Sequence, residues 1–166
     1  MVESKMPCPP FWTTLESLRP NPTPKGRLLL AFDDTINPKT EKKIFGCASF
    51  FDHAAKTNQS KYPWSQNVVS IGLLKIVKGR WTCLPLAFRF YHMEKTIAAK
   101  KVRVEGKIPS FQTKFEQAIE MLLEISAAFP GTPLLTVTDS WFGNDGLLKP
   151  MRKTVGQRCH MLCRLR

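Results

Sequence analysis

Residues 27–36 read RLLLAFDDTI. Four apolar residues, Leu28 to Ala31, lead through Phe32 into two adjacent carboxylates, Asp33 and Asp34, and then Thr35. An apolar run of this length, closed by polar residues, predicts a strand buried on both faces. Open α/β sheets place their chemistry at the carboxyl ends of strands, so acids at such an exit are candidate site residues. Far along the chain, residues 133–140 (PLLTVTDS) repeat the pattern, an apolar strand ending in Asp139.

The residues between and around these two strands predict a mixed sheet. Residues 44–51 could form a short strand, and 52–66 read as a loop carrying His53 and Trp64. The β-branched run 67–77 (NVVSIGLLKIV) and its successor 80–92 (RWTCLPLAFRFYH) flank Lys78-Gly79, which predicts an antiparallel hairpin. Pro85 places a bulge or a sheet edge in the second of these strands. A basic connection follows, with a helix-capable piece at 94–101. Phe111, Phe115, Ala118, Ile119, Leu122, Ile125 and Phe129 then recur at helical spacing, with Ser110 as the expected N-cap and Pro130-Gly131 as the stop. After the second acid-bearing strand come a short helix over 145–155 and a last strand over 159–165. Helix-linked strands run parallel and a hairpin supplies antiparallel members, so the fold class is a mixed α/β sheet.

Residues 1–26 hold six prolines and one apolar patch, Phe11-Trp12 with Leu15. That density predicts an extended proline-rich connector, with Phe11-Trp12 docking on the domain that follows. Residues 27–166 are then one domain, a size that buries roughly two-thirds of the unfolded surface.

Twenty-five Lys and Arg against thirteen Asp and Glu leave a net charge of +12, which points to a polyanionic partner. The basic residues are spread along the chain, as on a charged face rather than a disordered tail. Five dispersed cysteines, an odd number in apolar segments, read as reduced thiols of a cytosolic protein. Cys159, His160 and Cys163 lack a second ligand pair, and on a strand His160 faces away from the two thiols, so zinc is not expected. No apolar run approaches the ~20 residues of a membrane helix, and no export signal is evident.

Neighbouring strands that end in Asp at one sheet edge would bring hard oxygen ligands together, as Mg²⁺ or Mn²⁺ requires. Two such ions about 3.5–4 Å apart activate an attacking oxygen and stabilise the leaving one in phosphodiester chemistry. Taken alone, the same acids could equally be turn and helix-cap residues. Two other strand-end chemistries fit less well. The haloacid dehalogenase pattern needs a residue between its acids, and a dinucleotide site needs a glycine-rich turn after the first strand.

FDDT on the first strand, YPWSQNVVSIGL before the hairpin, LPLAFRFY within it, TKFEQAIEML on the helix and VTDSWFGN at the second acid stand in order. Together they resemble the DDE transposases, most closely the group built like the IS4 and IS701 insertion-sequence enzymes, called DDE superfamily endonucleases. The resemblance implies an RNase H-like fold in which two Asp and one Glu bind the metals that cut and join transposon ends. It assigns the first catalytic and metal-binding acid to Asp34, which directly precedes the Thr of its motif, and the second to Asp139. Asp33 becomes a neighbour of the metal that tunes charge or caps the turn. His53 and Trp64 lie in a shared segment without an assigned role, and loop packing is the simpler reading of Trp64.

In the family the catalytic Glu follows the last strand, whereas here every Glu precedes Asp139 and the chain ends at Arg166. The resemblance therefore implies a C-terminally incomplete RNase H-like domain over 27–166, whose end-recognition region is missing or reduced to residues 1–26. Such a fragment is expected to bind Mg²⁺ or Mn²⁺ weakly and to be inactive or impaired alone. Its partners would be DNA, at transposon ends and target, and a full-length transposase or a second copy, in a prokaryotic cytoplasm at the nucleoid. The competing expectation is a non-catalytic basic DNA-binding remnant that interferes with a full-length enzyme.

Overall fold

The computed structural model describes residues 26–41, 43–99 and 102–164; most of the proline-rich connector, with Phe11 and Trp12, lies outside them. In chain order the elements are β1 (Leu28–Pro38), β2 (Ala48–Ser49), β3 (Trp64–Val77), β4 (Arg80–Tyr91), α1 (Glu94–Ala98), α2 (Lys114–Ala128), β5 (Leu134–Thr138), α3 (Asp145–Val155) and β6 (Cys159–Cys163). Among the described residues the sheet has six strands in the order β2-β3-β1-β5-β6, with β4 also paired to β3.

β1 organises this sheet. It runs antiparallel to β3 and parallel to β5, which in turn runs parallel to β6. β5 and β6 are joined by the crossover helix α3, α2 leads from the antiparallel strands back to β5, and β3 and β4 form the hairpin that the sequence predicts. Lys78 and Gly79 at its turn have φ of 50° and 77°, the two positive values that a two-residue type I′ turn demands. The bulge expected near Pro85 is present: pairing steps from Ile71↔Ala87 to Gly72↔Pro85, leaving Leu86 unmatched. This mixed α/β architecture is consistent with an RNase H-like fold.

One face of the sheet carries the core. Leu28, Leu30 and Phe32 of β1 alternate toward α2 and α3, and pack with Val69, Ile71, Met121, Leu122, Ile125, Leu134, Leu147 and Met151. The spacing of Ala118, Met121, Leu122 and Ile125 puts one stripe of α2 on this face. Leu29 and Ala31 point the other way and are only half-buried, so β1 is not buried on both faces as its apolar run suggests. The period-two alternation of the strand decides this, because the described helices cover a single side.

Several boundaries differ from the expected ones: the strand expected over 44–51 is reduced to Ala48–Ser49, and β3 starts at Trp64, inside the expected loop, because Trp64 and Ser65 pair with β2. β1 does not close at its acids but continues to Pro38, because residues 33–38 pair with Ser65–Ser70 of β3. Helix α2 starts at Lys114 rather than after Ser110. Thr113 is its N-cap, with Oγ1 accepting from the Glu116 amide at 3.2 Å, while a Glu116 carboxylate oxygen accepts the Thr113 amide at 2.7 Å. This reciprocal capping box outcompetes Ser110. At the far end of α2, the Arg158 guanidinium donates to the carbonyls of Phe129 and Thr132 and to the Ser126 hydroxyl, tying the turn to the start of β6.

Candidate active site

β5 is shorter than its neighbour. Its register with β1 ends at Phe32↔Thr138, so Asp33 and Asp34 ride past the end of β5 just where Asp139 follows it. Strand alternation sends the two β1 acids to opposite sides: Asp34 shares the helix-covered face with Phe32, and Asp33 lies on the other. Both nevertheless line one cleft with Asp139, at the sheet end, because β5 no longer separates the faces there.

Asp34 is held by two donors on the same oxygen. Asn67 Nδ2, from β3, is 3.0 Å from Oδ2, and Lys114 Nζ, from the first residue of α2, is 2.7 Å away. The Lys114 ammonium also lies 5.2 Å from the ring centre of Tyr91 and 5.0 Å from that of Trp141, within cation–π range. Asn67 is 1% exposed and its Oδ1 has no hydrogen-bond partner among the described residues. Asp33 Oδ1 accepts the Asp34 amide at 2.8 Å. Partial burial raises the pKa of Asp33 above the usual carboxylate value; that hydrogen bond opposes the rise, and the nearby charges of Asp34 and Asp139 add to it.

Asp139 is fixed by the turn that follows it. Its Oδ1 accepts the amides of Trp141 and Phe142, both at 3.0 Å, and its carbonyl accepts the Gly143 amide at 3.0 Å. Phe142 is fully buried and anchors this turn in the core, while Trp141 leans on Phe115 of α2 at 5.0 Å between ring centres. One Asp139 oxygen thus fixes the turn, but Asn144 and not Asp139 is the N-cap of α3, so the turn reading of this acid holds and the helix-cap reading does not.

The cleft has a volume of about 680 Å³, and four of the chain's thirteen acids (Asp33, Asp34, Asp52 and Asp139) line it. His53 stands in its wall, edge-on to Phe51 at 4.6 Å, whereas Trp64 is not among the lining residues. Trp64 Nε1 donates to the Glu41 carbonyl at 3.0 Å and pins a loop, as its simpler reading predicts. Sequence reasoning did not single out Asn67, Tyr91, Lys114 or Trp141. All four lie inside the recurring motifs quoted above, which was the one signal available.

A sequence profile of the DDE superfamily endonuclease family matches residues 13–164, nearly the whole chain. The chain belongs to the DDE superfamily endonucleases. Comparison with curated proteins and with solved structures finds no match. Membership of this family implies a DNA substrate and, in general, use of a divalent metal ion. No helix among the described residues is long and apolar enough to cross a membrane.

The cleft of this DDE superfamily endonuclease fits a divalent cation by donor type. Its carboxylate oxygens and the orphaned amide oxygen of Asn67 are hard ligands, and its acids outnumber its cationic side chains. Among the described residues, however, no three His, Cys, Asp or Glu side chains stand close enough to hold an ion as they are. Asp34 Oδ2 is covered by the Lys114 ammonium.

Proposed function

We propose that residues 27–166 are part of the catalytic domain of a DDE transposase of the IS4 and IS701 insertion-sequence kind, preceded by a proline-rich connector over 1–26. Asp34 and Asp139 are the first and second metal-binding acids, for Mg²⁺ or Mn²⁺, and Asp33 supports them. The observation that carries this reading is the convergence of the three acids, from adjacent parallel strands, on a single cleft of a protein with net charge +12.

A bound divalent ion supplies Lewis-acid stabilisation for cleavage and transfer of a DNA strand. The chain's own residues do the rest. Asn67 and the Asp139 turn fix the directions of the two carboxylates, and the basic surface holds DNA phosphates against an otherwise repulsive acidic cleft. No Glu follows Asp139 in the 166 residues, so they supply two of the family's three acids. Two carboxylates without the third do not hold a catalytic pair of ions, and these residues by themselves are inactive or strongly impaired. The natural setting is a prokaryotic cytoplasm, with DNA ends, and a full-length transposase or a second copy, as partners.

Supercoiled plasmid incubated with the purified chain and Mg²⁺ or Mn²⁺ tests this. Binding that falls steeply with salt, with at most trace nicking, is the expected result. Efficient metal-dependent nicking that disappears in Asp34→Ala and Asp139→Ala would keep the site but overturn the inactivity. Binding that ignores EDTA and both substitutions, with no nicking at all, favours a non-catalytic DNA-binding protein that interferes with a full-length enzyme.

A further inference from the structure

Lys114 breaks a local rule. It is the first residue of α2, where the partial positive charge of the helix terminus disfavours a cation. Glu116, two residues on, satisfies that terminus through the capping box, whereas Lys114 turns away to the cleft. There its ammonium touches Asp34 Oδ2 at 2.7 Å between the faces of Tyr91 and Trp141, and its side chain is 17% exposed. A local conflict of this kind marks a position held by something other than helix stability.

We infer that Lys114 is a resident cation that occupies the divalent-metal position at Asp34 and must withdraw before the metal binds. The inference rests on the reading of Asp34 as a metal ligand. Three carboxylates, Asp33, Asp34 and Asp139, converge on one cleft and repel one another when it holds no cation. A tethered ammonium relieves part of this repulsion and keeps Asp34 aligned with Asn67. An ammonium at 2.7 Å from Oδ2 repels a divalent cation approaching the same oxygen, so Lys114 raises the threshold for metal loading. The aromatic pair gives the displaced ammonium a nearby resting place, because it already lies within cation–π reach of both rings.

The test titrates Mn²⁺ into the full chain, following free Mn²⁺ by electron paramagnetic resonance. Lys114→Met is expected to bind Mn²⁺ on the order of tenfold more tightly than the unaltered chain, Lys114→Arg about as weakly as the unaltered chain, and Asp34→Asn more weakly than either. In parallel, reductive methylation of Lys114, read by mass spectrometry, is expected to rise in the unaltered chain on Mn²⁺ saturation, and to be high in Asp34→Asn without metal. Equal Mn²⁺ affinity in folded Lys114→Met and the unaltered chain would overturn the inference, while loss of binding in Asp34→Asn would leave the metal site standing. No Mn²⁺ bound by any variant would remove both. Should Lys114→Met fail to fold, methylation of Lys114 that Mn²⁺ leaves unchanged overturns the inference on its own.

Discussion

Gly143 and Cys163 are packed so closely that a methyl group on Gly143 would overlap the Cys163 Cβ and approach its Sγ to 2.8 Å. This contact joins the turn after Asp139 to the end of β6. It makes the last strand a support for the second acid, since the Gly143 amide also bonds the Asp139 carbonyl. Gly143→Ala should therefore destabilise the domain by about 2 kcal/mol, the usual scale of overpacking. Cys163→Gly in the same chain should recover part of that loss, because it removes both the Cβ and the sulfur that the new methyl meets. Urea denaturation of the two single variants and the double variant measures the coupling, and simple additivity would show that the turn and strand are independent.

Asp33 predicts a pH dependence with a definite sign. Burial, with the charges of Asp34 and Asp139, raises its pKa above the ordinary 3.8. Below that value the carboxyl is protonated in folded and unfolded chains alike. As the pH rises past it, the unfolded chain releases the proton first, and Asp33 begins to oppose folding. Asp33→Asn should accordingly be more stable than the unaltered chain at pH 7 and no more stable at pH 3. Equal stabilities at pH 7 would mean that the acid cluster imposes no strain on the metal-free fold.

His92 works in the opposite pH direction. Its ring packs edge-on to Phe45 at 5.4 Å, its Nδ1 is buried without a hydrogen bond among the described residues, and burial lowers its pKa below the ordinary 6.5. The unfolded chain takes up a proton near pH 6.5 that the folded chain refuses, so stability present above this pH is lost progressively as the pH falls toward the lowered value. The melting temperature should drop between pH 7.5 and 5.5, and His92→Gln should flatten that part of the profile. A slope that survives the substitution would place its origin elsewhere.

The capping box of α2 is open to a direct check. Thr113→Ala removes the acceptor for the Glu116 amide and should cost about 1 kcal/mol. Ser110→Ala should be close to neutral, and comparable losses in the two variants would restore the earlier helix start.

These cases mark what was legible in the sequence. The hairpin, the helix over 145–155 and the acid-tipped β5 each depend on local signals: a turn pair, a stop, an apolar run. The continuation of β1 through Asp33, Asp34 and Thr35 was not legible, because adjacent carboxylates are poor strand formers and only pairing with β3 holds them extended. The start of α2 was readable after all, from Thr113 and Glu116 at capping-box spacing. The contact of Lys114 with Asp34 was not, since it joins residues 80 apart with no shared pattern. The site's acids could be named from strand ends and motifs, whereas the cation and the amide that hold Asp34 belong to the tertiary fold.

The central claim is that Asp34 and Asp139 share one divalent cation, and Mn²⁺ binding to Asp34→Asn, Asp139→Asn and the double variant tests it most directly. Each single substitution should weaken binding by about tenfold or more, and the double variant should bind no Mn²⁺ in the cleft. Asp33→Asn should have the smaller effect. Mn²⁺ affinity left intact by Asp139→Asn, or lost on Asp33→Asn alone, would contradict the assignment.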